Sequence, residues 1–281
     1  MKKHIVTIAA ALSVGLIAGC GGGSTQATAT TVSGAVADGY LAGATVFLDK
    51  NGNYMWDEGE PKTVTDASGA YTLTIDPADV GKYPIVALAL KGVTTDSDSG
   101  VLQNSYVLSM PKDSVSGTVK SNFISPMSTQ IRELMATGKS MQQAMDQMRS
   151  QLKLPAGTDM LADYMTNPGN ANSQTMHSAA QNMASLMGSQ MSQVLSSSGA
   201  TPTVDVNRYR GMMGAIFSNM SSIKGPGAST DTKTNMANLM GTMTANLPSI
   251  VQGQPYRNMS TFFKAGMGGT MGGTRNSGMG M

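Results

Sequence analysis

The hydrophobic pattern of this chain changes near residue 126, and that change limits what the chain can fold into. Before this point, short β-branched runs are separated by Gly, Asp, Asn, Ser and Pro, which predicts an all-β unit. Beyond it, apolar residues recur every three or four positions, which predicts helices. Of the 25 methionines, only Met55 and Met110 lie between residues 21 and 126. The two parts are therefore expected to have different cores.

Six runs predict strands in the first part. In AYTLTID, residues Tyr71, Leu73 and Ile75 alternate with threonines, as expected for a strand with one buried face. Residues 66–69, DASG, are typical of a turn between two strands. The predicted strands lie at residues 32–39, 43–49, 62–66, 70–76, 84–92 and 105–110.

The first twenty residues predict an export signal. Lys2 and Lys3 precede an apolar stretch that is shorter than the roughly 20 residues of a membrane-spanning helix. The sequence IAGC at residues 17–20 resembles the lipobox of bacterial lipoproteins, which implies acylation of Cys20 and cleavage just before it. Cys20 is the only cysteine in the chain. The alternative is an ordinary signal peptide with a chance cysteine.

A lipid anchor predicts a place in the cell envelope. Gly21 follows the cysteine, whereas an aspartate there is associated with inner-membrane retention, so the outer membrane is favoured. Without Lys2 and Lys3, the 19 basic residues fall to 17 and equal the 17 acidic ones. This balance argues against binding of nucleic acid. The expected partners are the membrane, through the anchor, and a protein or another envelope polymer.

Three segments carry a family resemblance. The sequences VSGAVADGYLAGATVFLD, TDASGAYTL and PADVGKYPIVALA, in this order, resemble transthyretin-like modules. These modules include the carboxypeptidase regulatory-like domain and the B-type repeats of bacterial surface adhesins. The resemblance covers residues 32–110 and implies a prealbumin-like β-sandwich that serves as a stalk, spacer or binding module.

The loop DKNGNYMWDEGEP at residues 49–61 matches the calcium loop of those adhesin repeats, D-x-N-x-N-x-x-x-D-x-G-E. Oxygens at alternate positions of a tight loop can converge on Ca²⁺, which prefers six to eight oxygen ligands. Pro61 disfavours an exiting helix, and Tyr54 replaces the glycine of an EF-hand, so Gly52 is expected to make the turn. The alternative is a solvated acidic turn. The predicted ligands of a structural calcium ion are Asp49, Asn51, Asn53, Asp57, Glu60 and the main-chain carbonyl of Met55.

The second part reads as a helical bundle. Ser125 is expected to cap a helix that begins at Pro126 and ends at Gly138. Apolar seams at alternating spacings of three and four residues are typical of helices that pack at shallow angles. Further helical segments are predicted at residues 141–152, 159–165, 173–195, 206–223 and 236–247.

The methionine stripes allow three interpretations. They fill the core, they form an adaptable apolar groove for a partner, or their thioethers bind Cu(I). Copper ligands could come from Met183, Met187 and Met191 or from Met236, Met240 and Met243. Exported copper proteins usually add histidine, whereas the chain beyond residue 20 contains only His177.

Catalytic motifs are not evident in the sequence. His177 lies on a predicted helix and is more typical of a surface or boundary position than of a general base. Residues 138–140, GKS, resemble the end of a phosphate loop, but position 133 is Glu rather than Gly. Four aspartates in turn-like segments could in principle pair, namely Asp76, Asp79, Asp96 and Asp98. We therefore predict that the protein is not an enzyme.

The predicted fold is α+β and multidomain, with a prealbumin-like β-sandwich followed by a methionine-rich all-α bundle. The predicted function is a non-catalytic structural or adhesive surface lipoprotein stabilised by calcium, and the alternative is an envelope protein that handles Cu(I). The predicted segments are a signal peptide at 1–19, a tether at 20–31, the sandwich at 32–120, the helical domain at 121–250 and a disordered Gly/Met-rich tail at 251–281.

Overall fold

A computed structural model describes residues 29–117, 122–196 and 203–250 of the protein. The predicted signal peptide, the lipidation site Cys20, most of the tether and the tail fall outside these residues. Both strands and helices are present, so the mixed α+β class is confirmed. The strands are β1 (Thr30–Val36), β2 (Leu41–Ala42), β3 (Thr45–Leu48), β4 (Lys62–Val64), β5 (Ala70–Ile75), β6 (Ile85–Ala89), β7 (Thr95–Asp96), β8 (Gly100–Val101), β9 (Tyr106–Met110), β10 (Asn122–Ile124), β11 (Leu195–Ser196) and β12 (Thr203–Val204).

Two larger sheets enclose the core of the first part. One has the order β10-β1-β5 and the other the order β4-β3-β6-β9. Strand β5 packs against β3 and β4, and β10 packs against β6 and β9, so the sheets face each other. The predicted alternation in β5 is confirmed, since Tyr71, Leu73 and Ile75 are buried between exposed threonines. All six predicted strands are found, and the pairs β2-β7 and β7-β8 form an additional small sheet.

The turn at residues 66–69 does join two strands, but these strands belong to different sheets. Asp66 Oδ1 accepts hydrogen bonds from the main-chain N–H groups of Ser68 (2.8 Å) and Ala70 (3.0 Å). Gly69 has a φ of +74°, which a glycine adopts readily. The turn therefore passes the chain from β4 in one sheet to β5 in the other.

Strand β10 lies within the range predicted to be helical and pairs in parallel with β1, with Gly34 opposite Asn122. A Cβ at Gly34 would lie 1.8 Å from the carbonyl oxygen of Asn122, so only glycine allows this approach. The Asn122 side-chain amide also donates to the carbonyl oxygens of Ser33 (3.0 Å) and Ser116 (2.9 Å). The chain thus returns to the first sheet before it enters the helices.

The helices begin where the sequence places capping residues. The Ser125 hydroxyl accepts from the Ser128 N–H at 3.3 Å, and Pro126 takes the first helical position, as predicted. The segment at 159–165 was predicted to be helical, but only a three-residue 3₁₀ turn forms there, at Tyr164–Thr166, because the backbone of Asp163 is extended and Pro168 disfavours a helical Asn167. The α-helices are α1 (Pro126–Met135), α2 (Met141–Leu152), α3 (Ala171–Val194), α4 (Val206–Ile223) and α5 (Thr230–Asn246).

Helices and sheets share one contiguous apolar core, so the expectation of two different cores was wrong. Helices α1 and α3 pack against β9, so β9 is covered on both faces and all five of its residues are buried. Helix α4 packs against α3 and α5. Most of the methionine side chains in α3 and α4 point into this core; Met183, Met187 and Met220, for example, are fully buried. Across the described ranges, no helix is both long enough and apolar enough to cross a bilayer.

Candidate functional site

The first candidate site is the loop at residues 49–60, between β3 and β4. Its two ends are held together because the Leu48 N–H donates to the carbonyl of Pro61 at 3.1 Å. The Asp49 N–H donates to the carbonyl of Pro84 at 3.0 Å, which joins the start of the loop to the neighbouring strand. Strand pairing therefore positions the loop as a closed unit at the edge of the sandwich.

Asp49 organises the first turn of the loop and is fully buried. Its Oδ1 atom accepts hydrogen bonds from the N–H groups of Gly52 (2.8 Å) and Asn53 (3.1 Å). Its Oδ2 atom accepts from the N–H of Tyr54 at 3.3 Å. A carboxylate that receives several main-chain donors fixes a tight turn, which explains an acid at this position.

Three of the predicted ligands meet at one point. The side-chain amides of Asn51 and Asn53 both lie 2.7 Å from Asp57 Oδ2. The amide oxygens accept from main-chain N–H groups, Asn51 from Asn53 at 3.1 Å and Asn53 from Met55 at 2.8 Å. The alternating positions thus bring these side chains together, as the spacing predicted.

Glu60 closes the loop from its other end. Its Oε1 atom accepts from the Lys50 N–H at 2.7 Å, and its Oε2 atom accepts from the Asp57 N–H at 3.1 Å. Each carboxylate oxygen has a second lone pair that these bonds leave available. Asp49 and Glu60 therefore order the loop backbone, while Asn51, Asn53 and Asp57 converge.

Gly52 and Tyr54, the two loop residues that the sequence analysis discussed for the turn, both have a positive φ. Gly52 has a φ of +76°, as expected, and Tyr54 has a φ of +63°. A tyrosine in the left-handed region is uncommon and persists only where the surroundings hold it.

The oxygen atoms of these residues are of the type that a calcium ion prefers. Within residues 29–117, 122–196 and 203–250, no three acid, histidine or cysteine side chains lie close enough to hold a metal by themselves. A cation in the loop would therefore need amide and main-chain oxygens as well, which is the ligand type that Ca²⁺ accepts. Rotation of the Asn51 and Asn53 amides would bring oxygen in place of nitrogen to the point where they meet Asp57, and the N–H groups of Asn53 and Met55 would then lose these acceptors. The donor set fits calcium with mixed neutral and charged oxygens.

Beneath the loop lies a group of four charged residues, which we call the ionic cluster: Asp49, Arg132, Glu133 and Arg210. Arg132 Nη2 donates to Asp49 Oδ2 at 3.1 Å, and Arg210 Nε lies 3.4 Å from Glu133 Oε2. The cluster contains two acids and two arginines, so its charges balance. Burial opposes the charge of Arg132, but Tyr54, Glu133 and Asp49 outweigh it and raise the pKa of Arg132.

Tyr54 joins the loop to this cluster. Its side chain is fully buried, and its hydroxyl donates to Glu133 Oε1 in a short hydrogen bond. Its ring centroid lies 4.7 Å from that of Tyr209 and 4.1 Å from Arg132 Cζ. Burial and the nearby Glu133 carboxylate raise the pKa of Tyr54, so its hydroxyl keeps the proton that it donates. Sequence analysis did not predict this contact. It noted only that Tyr54 occupies the position where an EF-hand has glycine, and that substitution was the one local sign that Tyr54 is unusual.

A second candidate site was not predicted. A pocket of about 420 Å³ lies between the loops of the sandwich and helix α3. Its charged lining consists of Asp38, Asp96 and Asp98, and we call it the acidic pocket. The rest of the lining mixes apolar residues, among them Val101 and Leu102, with polar or small ones such as Ser99, Gln103, Asn104, Tyr106, Gln181, Asn182 and Gly188.

Asp38 is a strongly perturbed acid of the acidic pocket. It is 5% exposed, and the Tyr106 hydroxyl lies 3.0 Å from both of its carboxylate oxygens. Burial, reinforced by the negative charge of Asp96, raises the pKa of Asp38 from 3.8 to about 8. A carboxyl group with such a pKa is protonated at neutral pH.

Asp96 and Asp98 lie on the turn between β7 and β8. Asp96 accepts from the N–H groups of Asp98 and Ser99, both at 3.1 Å, which is the turn role expected for such acids. Asp98 reaches helix α3, where it lies 2.6 Å from His177 Nε2. His177 also stacks on Tyr164, with centroids 5.7 Å apart. His177 is thus a boundary residue at the junction of sheets and helices, as predicted.

The other aspartates that the sequence singled out have local partners. Asp76 caps a 3₁₀ turn by accepting from the Ala78 N–H at 2.8 Å, and Asp79 pairs with Lys50 at 2.8 Å. Neither belongs to the acidic pocket.

Comparisons with known proteins returned no match: no protein-family model, no curated protein and no solved structure resembles the chain.

Proposed function

We propose that this protein is a non-catalytic binding module of the cell envelope, stabilised by calcium in the loop at residues 49–60. In this proposal Cys20 carries the lipid anchor, in the outer membrane, and the β-sheets form a prealbumin-like sandwich that bears a methionine-rich helical bundle. The partner is a protein or another envelope polymer.

The observation that carries the proposal is the convergence of Asn51, Asn53 and Asp57 in a loop whose backbone Asp49 and Glu60 already order. A loop with a fixed backbone loses less conformational entropy when it binds a cation. Bound calcium would supply a double positive charge that links the two ends of the loop. The main-chain carbonyl of Met55 completes the proposed ligands.

The copper alternative has less support. Met183, Met187 and Met191 are between 0 and 6% exposed, and they belong to the shared apolar core. Stripes of this kind usually fill a core, because the flexible thioether side chain adapts to irregular gaps.

Thermal unfolding of the mature chain tests the calcium site, with Cys20→Ser to keep it free of lipid. A site with a Kd of about 10⁻⁴ M, filled at about 10⁻² M calcium, should stabilise the protein by about 2.7 kcal/mol, or several degrees in Tm, relative to EDTA. Asp57→Ala should abolish this shift.

Glu58→Ala is the matched control, because Glu58 is exposed in the same loop and is not a proposed ligand. It should keep the full calcium shift. An equal Tm in calcium and EDTA for the parent protein would make the loop an acidic turn and remove the calcium part of the proposal.

A further inference from the structure

Only part of the loop at residues 49–60 faces outwards. Hydrogen bonds of the Asn51, Asn53, Asp57 and Glu60 side chains stay within the loop. Asp49 and Tyr54, in contrast, extend from it to the helices. An event that fixes the loop backbone can therefore act on the helices through these two side chains.

Tyr54 spans the junction between loop and helices. Its main-chain N–H donates to Asp49 Oδ2, and its φ of +63° directs its side chain towards the helices. At the other end, its hydroxyl binds Glu133 on α1, and its ring contacts Tyr209 on α4. The hydroxyl of Tyr209 in turn donates to the carbonyl of Val107 in β9 at 2.8 Å. One buried side chain thus ties the loop to two helices, and a second ties α4 to the sheet.

Asp49 also contacts both the loop and the helices. The same Oδ2 atom that accepts from the Tyr54 N–H accepts from Arg132 of α1 at 3.1 Å. Asp49 is also the first proposed calcium ligand. Fixing Asp49 therefore holds the Tyr54 backbone and the α1 arginine at once.

We infer that cation binding in the loop and docking of helices α1 and α4 on the sheets are thermodynamically coupled through Tyr54. The inference rests on the proposed calcium site and assigns it a regulatory role: calcium tightens the helical part without contacting it. Coupling between two sites is reciprocal, so secure docking of the helices must also strengthen calcium binding.

Reciprocity gives a test in which the altered atom lies outside the calcium site. Tyr54→Phe removes only the hydroxyl at the helix end, and it leaves the loop backbone, the ring and every charge in place. We expect calcium affinity to weaken by about five- to thirtyfold, within the usual range of coupling between sites. Tyr71→Phe is the matched control, because it also removes a buried hydroxyl, which donates to the Asn122 carbonyl at 3.0 Å inside the sandwich. Its calcium affinity should stay within twofold of the parent.

The chain carries its own probe for the titration. Trp56 is the only tryptophan, it lies in the loop, and its indole N–H donates to the Glu60 carbonyl at 2.9 Å. Calcium is therefore titrated by Trp56 fluorescence, with calorimetry as a second readout. If Tyr54→Phe binds calcium as tightly as the parent, the coupling is wrong and the calcium site stands. If the parent itself gives neither a fluorescence change nor heat, the site and the coupling both fail.

Hydrogen exchange on the parent protein needs no variant. Under native conditions, calcium should slow amide exchange in α1 and in the first turns of α4 more than in α5, which packs against α3 and α4. Calcium binding with equal effects on all three helices, or with none, would also overturn the coupling.

Discussion

The ionic cluster and the acidic pocket lie at the same boundary between sheets and helices, but they handle buried charge in different ways. In the ionic cluster, each acid has an arginine within 3.4 Å, and Tyr54 donates to Glu133 as well. In the acidic pocket, the only ion pair that the described residues give to the three aspartates is that of Asp98 with His177. Asp38 receives a tyrosine hydroxyl instead.

The difference shows two ways in which a protein limits the free-energy penalty of burying a carboxylate. In the ionic cluster, each acid has an arginine and hydrogen-bond donors as partners, so that cluster can hold elements together. Without a nearby cation, burial and a like charge raise the pKa of Asp38, and a proton neutralises it. The first region is therefore expected to depend on its partners and the second on pH.

Removing one acid from the ionic cluster should have the largest effect. Glu133→Gln leaves Arg210 without its carboxylate and weakens the partner of Tyr54, so we expect the free energy of unfolding to fall by about 3–5 kcal/mol. Urea denaturation at pH 7 measures this loss. Glu58→Gln removes an exposed acid and should change stability by less than about 0.5 kcal/mol. Equal effects of the two variants would mean that the ionic cluster does not hold the helices.

Asp38→Asn should reveal the pH dependence of the acidic pocket. Between about pH 4 and pH 8 the native state keeps a proton that the unfolded chain has lost, so the free energy of unfolding falls as the pH rises. Asparagine cannot ionise, and it resembles the protonated acid in shape. The stability of the variant relative to the parent should therefore rise by on the order of 5 kcal/mol from pH 4 to pH 8.

Denaturation curves at several pH values measure this difference, with the exposed Asp113→Asn as the control. Parallel pH profiles for Asp38→Asn and the parent would show that Asp38 titrates normally and that the pocket is better solvated than its burial indicates.

The smallest effect is expected where the acidic pocket does have an ion pair. His177 and Asp98 are 28% and 29% exposed, so solvent screens their attraction. His177→Gln can still donate a hydrogen bond to Asp98, and we expect a loss below about 1 kcal/mol at pH 7. Urea denaturation measures the change. A fall in the free energy of unfolding above about 2 kcal/mol would mean that this pair holds α3 on the sheets, as the ionic cluster is expected to hold α1 and α4.

Local signals in the sequence predicted most elements correctly. The alternation of AYTLTID, the cap Ser125 with Pro126, and the seam of α4 act within one or two turns of chain, so they are readable without tertiary structure. Spacing also predicted that Asn51, Asn53 and Asp57 would meet, because all three lie on one short loop. The prediction for residues 159–165 was wrong, since Met160 and Tyr164 enter the shared core from turns rather than from a helix.

Sequence by itself thus determined the change from strands to helices, the start of α1 and the meeting of three side chains in the loop, because each depends on neighbours in the chain. Only the tertiary structure decided the pairing of β10 with β1, the contact of Tyr54 with Glu133 and the burial of Asp38 beside Asp96. These contacts join residues about 60 to 90 positions apart, and no local propensity specifies them. For the two contacts that involve charged side chains, burial is the physical reason. It removes water from around the charge, so the partner that the fold supplies decides how the charge is compensated.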